Sequence, residues 1–218
     1  MIERFVHHLR VERPAETEVA AGARTRLAEK FPRTALRRMT HLGLLVGSVL
    51  EGAVLEANDA LVYATSYSET RALEDYLASF PAASPLLFQT SIHPGGVQQA
   101  LICRQQPVAR LWPLAGRTRL VEHALLTALL DPASRVAVVG GEERGTWMLE
   151  QGMAAAQPFA FALVLTPERA GAVARVAFRP APAPDEACPS LEAFAVALTE
   201  RRSLGWCGGG NAWVLEWL

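Results

Sequence analysis

Five histidines and three cysteines carry most of the nucleophilic, acid–base and metal-binding capacity of this sequence: His7, His8, His41, His93 and His123, with Cys103, Cys188 and Cys207. No two histidines have the HxxxH spacing that sets two imidazoles on one helical face, and the cysteines are far apart with no CxxC pair. Neither a metal site nor a disulfide framework is expected, and the thiols are read as reduced. A cysteine nucleophile needs an adjacent base and an electropositive seat. Cys103 ends an apolar helical run, Cys188 lies among prolines, and Cys207 is set apart only by the glycines that follow it. His93 opens His93-Pro94-Gly95-Gly96 after a loop, where an imidazole can line a pocket, although a structural histidine is the plainer reading. His7 and His8 are expected on a strand near the surface, and His123 at a packing or interface position on a helix. Gly208 to Gly210 precedes a β-like run rather than opening a helix, so a turn is expected there and not a phosphate cradle. There is no GxGxxG, Walker-type or G-x-S-x-G sequence. The residues alone assemble no active site and call for no cofactor.

The elements that would position these groups follow from periodicity and punctuation. Arg33 to Ala53 carries a helix-period stripe of Leu36, Met39, Leu42, Leu45, Val46 and Leu50, with Gly43 and Gly47 suited to close packing. Ala60 to Thr65 is a buried-strand run, and Ser66 with Glu69 has capping-box spacing, so a helix is expected from there through Leu77. Pro81 and Pro85 are expected to break the chain. A short helix over Val97 to Cys103 precedes a strand over Val108 to Trp112, and a helix from near Arg117 to Leu130 stops at Asp131-Pro132. Arg135 to Val139 reads as a strand ending in Gly140-Gly141, and Phe159 to Leu165 as another. Strands alternating with helices argue for an α/β sheet covered on both faces. The proline-rich stretch from Arg179 to Pro189 reads as an extended connection to a tail with one helix, Leu191 to Glu200, and an apolar run, Trp213 to Leu218.

At 218 residues, 50% hydrophobic and 20% charged, the chain suits one compact domain or at most two small ones. Lys+Arg 21 against Asp+Glu 22 leaves a formal charge of -1, so no basic field favours nucleic acid or an anionic membrane as partner. The apolar stretches fall well short of the ~18 residues that signal a spanning helix. The N-terminus, MIERFVHHLRVERPAE, has scattered charges and no apolar h-region. A soluble, cytoplasmic protein is expected.

The middle of the chain resembles the N-terminal half of β-ketoacyl synthases, the condensing enzymes of the thiolase fold. Four stretches carry the resemblance over roughly residues 33 to 166. Ser84-Pro85-Leu86-Leu87-Phe88 with Ser91-Ile92-His93 looks like the family's "SP-apolar" segment and its following loop, and Gln98 to Cys103 occupies the helix after it. Pro107-Val108-Ala109-Arg110-Leu111-Trp112 looks like the strand leading to the nucleophile. Val136 to Arg144 resembles the strand ending in Gly-Gly-x-Glu, matched by Gly140, Gly141 and Glu143. The order and spacing of these stretches carry the match, since no single motif is decisive.

The resemblance implies a thiolase-like half over residues 1–178, αβα layered, with a mixed five-stranded sheet covered by helices. Residues 179–218 would then be a proline-rich connection and a C-terminal extension packing on it. At the nucleophile position, where a cysteine would form a thioester, this sequence has Ala115, followed by Gly116. After residue 166 it has no histidine and no lysine, the types that complete the family's chemistry. The family's degenerate members, the chain-length factors of type II polyketide and aryl polyene pathways, pair with an active β-ketoacyl-ACP synthase. Membership of that group implies a heterodimer joined through the strand Pro107 to Trp112, an acyl carrier protein as further partner, and Leu87, Phe88 and His93 facing the partner's acyl tunnel. Ordinary core packing of Leu87 and Phe88 is the alternative. A self-associating scaffold of the same fold, with Arg104, Arg110, Arg117 and Arg119 meeting an acidic carrier, is a second reading, and a small enzyme using Cys207 or His93 a third.

Overall fold

The continuous apolar runs of the sequence become the inner strands of one sheet. The protein was analysed as a computed structural model that describes residues 1–182, 184 and 186–218. Strand β1 (Ile2–Glu12) leads into helix α1 (Ala20–Arg26), a 3-10 turn (Ala28–Lys30), α2 (Arg33–Leu36) and α3 (His41–Val49). Next come β2 (Ala60–Thr65), α4 (Thr70–Ala78), α5 (Pro85–Ser91), α6 (Gly95–Arg104), β3 (Arg110–Ala115), α7 (Leu120–Leu130) and β4 (Val136–Glu142). The remaining elements are α8 (Thr146–Glu150), β5 (Phe159–Thr166), β6 (Ala174–Pro180), α9 (Leu191–Thr199), β7 (Leu204–Gly208) and β8 (Asn211–Trp217).

The described residues form an eight-stranded sheet in the order β3-β2-β4-β5-β1-β6-β8-β7. β2 runs parallel to β3 and β4, and every other neighbouring pair is antiparallel. Side chains alternate between faces along each strand, and β2 shows the result. Ala60, Val62 and Ala64 meet α7 and α9 through Leu125, Leu129 and Phe194. Leu61 and Tyr63 meet α3 and α6 through Leu45, Val49 and Val97 on the other face. A sheet covered on both faces needs apolar residues at every position of its inner strands, and all residues of β2 and β4 are buried. The layers are therefore helix, sheet, helix.

Several expectations change on folding. The mixed five-stranded sheet is present as β3-β2-β4-β5-β1, but it continues through β6, β8 and β7 into a sheet of eight strands. The division after residue 178 falls inside β6, whose residues 174–180 pair one by one with β8. The extension is held there by ring stacking, with Trp213 4.8 Å from Phe178 and 6.0 Å from Trp206 between centroids. Trp213 is buried and Trp217 only half-buried. The single helix read over 33–53 is broken between α2 and α3, because the Thr40 hydroxyl accepts the N–H of Gly43 and starts a new helix. The Ser66 capping box does not form: α4 starts at Thr70, and the Glu69 carboxylate is drawn to the N–H of Gly96. Pro85 opens α5 behind the Ser84 cap instead of breaking the chain. The edge strand is displaced to Arg110–Ala115, leaving Pro107, Val108 and Ala109 ahead of it.

Gly140 and Gly141 lie within β4 and not after it. Both are needed for close approach: a Cβ on Gly140 would sit 2.5 and 2.6 Å from ring carbons of Phe161, its cross-strand partner, and one on Gly141 2.8 Å from the Phe159 carbonyl oxygen. Gly140→Ala is therefore expected to destabilise the protein by about 2 kcal/mol, the usual cost of overpacking a core. Urea unfolding measures it, and adding Phe161→Leu should recover part of the loss by removing the ring edge.

Candidate functional site

The parallel strands β2, β3 and β4 end side by side, at Thr65, Ala115 and Glu142. Ala115 is opposite Thr65, and the N–H of Gly116 donates to the Thr65 carbonyl at 3.2 Å. The chain then turns through Arg119, held at φ 56°, into α7. Ala115 is thus at a strand-to-helix connection, where its methyl group offers no nucleophile. Beside it opens a cleft of about 470 Å³ lined by Ser66, Tyr67, Arg117, Thr118, Glu142 and the start of α9. Its lining contains neither cysteine nor histidine.

Buried carboxylates organise the ground beneath this cleft. Glu142 accepts from the Thr65 hydroxyl at 3.2 Å and from the N–H of Ser66. Glu143 accepts from the N–H of Leu42 at 3.3 Å and of Arg71 at 2.9 Å. Glu69 accepts from the N–H of Gly96 at 2.6 Å. Leu42, Arg71 and Gly96 are each the second residue of their helix, so these side chains serve as remote N-caps for α3, α4 and α6. Burial pushes Glu142 and Glu143 each up to about 7, against the pull of those hydrogen bonds. Tyr63, wholly buried beside them, is raised well above its ordinary value, first by desolvation and then by the neighbouring carboxylates. His93 stacks on Tyr63 with centroids 5.2 Å apart, its Nδ1 3.8 Å from Glu69 Oε2.

The residues singled out from sequence therefore fall into separate places. His93 is directed to Tyr63 and Glu69, within the chain. Leu87 lines a hollow of about 350 Å³ with Thr40, His41 and Arg71, whereas Phe88 is 50% exposed and packs against Tyr76 at 5.3 Å. In the run 107–112, Val108 and Leu111 pack on the α3–α6 core, and Ala109 donates to the Asp59 carbonyl at 2.8 Å. Arg110 and Trp112 both turn back to Asp131 at the end of α7, by bonds of 2.7 to 3.1 Å. The Arg110 guanidinium is the main cause that holds Asp131 down to about 2. Pro107 is exposed, as is the Trp112 ring at 42%. Glu143, read as part of a glycine motif, caps two helices.

The two edges of the sheet differ. Among the described residues no strand lies beyond β3. Beyond β7, Glu186 donates its N–H to the Cys207 carbonyl at 2.8 Å, and its carboxylate accepts from the Cys207 N–H at 3.3 Å. The connection between β6 and α9 thus meets one edge at Cys207, and among the described residues no strand or connection pairs with the other. Burial raises the Cys103 thiol and pushes Cys188 up to about 11, which disfavours the thiolate at both. Sequence reasoning missed Glu142, and it read Glu69 and Asp131 only as a local cap and a helix stop. The signal for Glu142 was present, as an acidic residue closing a continuous apolar run, and that for Asp131 as one closing a helix.

No protein-family model matches this sequence, and no curated protein is matched either. Solved structures are. The chain is similar to one in a ketosynthase (ApeO) in complex with its chain length factor (ApeC) from Xenorhabdus doucetiae, at 17% identity and TM-score 0.65, covering 99% of this chain and 100% of that one. The ishigamide ketosynthase/chain length factor is similar at 14% identity and TM-score 0.60, over 83% of this chain and 68% of that one. A β-ketoacyl synthase from Burkholderia phymatum follows at 9% identity and TM-score 0.58, over 83% and 65%. The fold is that of the thiolase-like ketosynthases and chain length factors.

The raised carboxyls give a pH signature. Each favours its protonated form in the folded state, so its contribution to stability is complete below its ordinary value of 4.5 and is lost as pH rises through about 7. Melting temperature is expected to fall between pH 5 and pH 8. In Glu142→Gln and Glu143→Gln, each compared with the parent by scanning calorimetry over that range, the slope should flatten.

Proposed function

We propose that this chain is a non-catalytic, chain-length-factor-type subunit that pairs in the cytoplasm with an active β-ketoacyl-ACP synthase and shapes its acyl tunnel during polyene or polyketide assembly. The observation that carries the reading is the inequality of the sheet edges. Among the described residues Glu186 of the proline-rich connection pairs with β7 at Cys207, while β3 presents its backbone and the exposed Trp112 ring. An open edge of this kind binds another chain by strand addition, since its unpaired N–H and C=O groups otherwise need water. Pro113 has no N–H, which narrows the registers such a partner can adopt.

The chemistry at the strand ends supports a silent partner. A thioester needs a thiolate at the strand-to-helix turn, and Ala115-Gly116-Arg117-Thr118 supplies none. In the pair, the partner contributes the nucleophile and its histidines, receives acyl groups from an acyl carrier protein, and meets Leu87 and Phe88 of this chain at its tunnel. The same open edge is self-complementary, so a homodimeric acyl- or carrier-binding scaffold is the second reading.

Native mass spectrometry of a tagged copy from its own host tests the pairing. A cysteine-containing ketosynthase at equal stoichiometry is expected, and recovery of a stable homodimer alone would replace the main reading with the scaffold. Trp112→Lys places a charge on the open edge and should release the partner while shifting the melting temperature of the isolated chain only slightly. In the intact pair, Phe88→Ala should shift the products to longer chains by enlarging the tunnel. An unchanged product profile would return Phe88 to a packing role against Tyr76.

A further inference from the structure

Four arginines from different segments converge on the hollow of about 350 Å³ that Leu87 lines: Arg24 of α1, Arg37 and Arg38 of the turn after α2, and Arg71 of α4. Among the described residues none of the four forms an ion pair, whereas Arg26, Arg110 and Arg175 are each tied to carboxylates. Arg24 donates to the carbonyls of Leu36 and Met39 at 3.0 and 3.2 Å, and Arg71 to that of Arg144 at 3.0 Å. Arg37 and Arg38 are exposed and make no side-chain hydrogen bond. Two carboxyls share the hollow. Asp75 is exposed and without an ion pair, and Glu143 is already engaged by the N–H groups of Leu42 and Arg71. Four guanidiniums facing two carboxyls leave an excess of positive charge that a dianion balances and a monocarboxylate does not.

The lining also includes a buried polar side chain that is not fully satisfied. His41 is 2% exposed, and its Nδ1 makes no hydrogen bond, while its Nε2 lies 3.4 Å from Glu18 Oε1. Burial lowers the ring below its ordinary value; Glu18 opposes this, and Arg71 and Arg26 reinforce it. A neutral ring that donates from Nε2 to Glu18 keeps a bare lone pair at Nδ1, so an anion oxygen is accepted there only if a proton enters with it. The first turn of α3 cannot supply the donors instead. The N–H of Thr40 goes to Gln99 Oε1, that of Leu42 to Glu143 and that of Gly43 to the Thr40 hydroxyl. Away from the arginines the lining is largely alkyl, including Val19, Ala20, Ala21 and Leu87, with little to read a polar group attached to the anion.

We infer that this hollow binds a free tetrahedral dianion, phosphate or sulfate, among Arg24, Arg37, Arg38 and Arg71, and that His41 takes up a proton as the anion enters. The imidazolium then donates from Nε2 to Glu18 and from Nδ1 to the ion, while the guanidiniums meet its remaining oxygens. Asp75 and Glu143 are the carboxyls that repel the anion, and Glu143, pushed up to about 7 by burial, loses its share of that repulsion on protonation. The inference concerns this chain alone and does not depend on its pairing with a ketosynthase.

Titration calorimetry of the full chain with sodium sulfate, at an ionic strength held constant with sodium chloride, tests it, because sulfate keeps its charge between pH 6 and pH 8. Saturable one-to-one binding is expected, with acetate weaker by at least about tenfold. Arg37→Ala/Arg38→Ala, which removes no ion pair or side-chain hydrogen bond within the chain, should weaken sulfate by at least about the same factor at an unchanged melting temperature in chloride. Affinity should fall with rising pH by up to about tenfold per unit, the limit for one proton taken up, and His41→Gln should flatten that fall. No saturation, equal binding of acetate, full affinity in the double-arginine variant, or an unchanged slope in His41→Gln overturns the inference. Glycerol 3-phosphate binding more tightly than inorganic phosphate would replace the free ion with a phosphomonoester and overturn it as well. Co-purification of a ketosynthase with Arg37→Ala/Arg38→Ala reports on the pairing separately.

Discussion

Carboxylates buried at the ends of the inner strands hold this fold in register. Glu142 ties the end of β4 to the turn after β2, Glu143 takes the first turns of α3 and α4, and Glu69 takes the first turn of α6. On the surface, Glu74 does the same for α8 through the N–H groups of Thr146 and Trp147. A helix that starts on a distant carboxylate cannot form its first turn until the other element has docked. The cost of removing a carboxylate from water is recovered only when its backbone donors are all in place. These side chains therefore tie the end of β4 and the start of α4 to the first turns of α3, α6 and α8 and make their assembly cooperative.

That coupling has a cost visible in the raised values of Glu142 and Glu143, since hydrogen bonds offset only part of the desolvation. The cluster is not an assembled catalytic centre. Glu69, Glu143 and His93 are directed to the chain's own backbone or to one another, and only Glu142 reaches the cleft beside Ala115. The parallel strands end there on Thr65, Ala115 and Glu142, and Ala115 presents only a methyl group.

The two edges of the sheet express a second constraint. Eight strands leave two unpaired rows of backbone, and unpaired rows invite association. The backbone and carboxylate of Glu186 cover one of them at Cys207. On the other, the Arg110 and Trp112 side chains fold back to Asp131 and stiffen β3 without covering its backbone. The proposed role rests on this uncovered strand and not on any titrating group.

The sequence by itself determined the layers and most of the strands. Ala60 to Thr65, Val136 to Val139 and Phe159 to Leu165 are apolar at nearly every position, a pattern that only burial on both faces accommodates. The absence of a thiol near Ala115 was likewise legible, because it depends on residue type alone. Legibility failed where partners are remote. Glu69 and Ser66 have local capping-box spacing, but tertiary contacts send Glu69 to Gly96 and Ser66 to Glu142. The strands β6, β7 and β8 are short or mixed in polarity, and their place in the sheet is set by pairing across the chain. The pairing of Arg104, Arg110, Arg117 and Arg119 was also invisible: Arg110 and Arg119 are neutralised by Asp131 and Glu122, while Arg104 lies over Phe31 and donates to the Gly47 carbonyl. Residue types and periodicity decide which side chains are buried, whereas which carboxylate meets which donor, and which edge stays open, is decided only when distant segments are brought together.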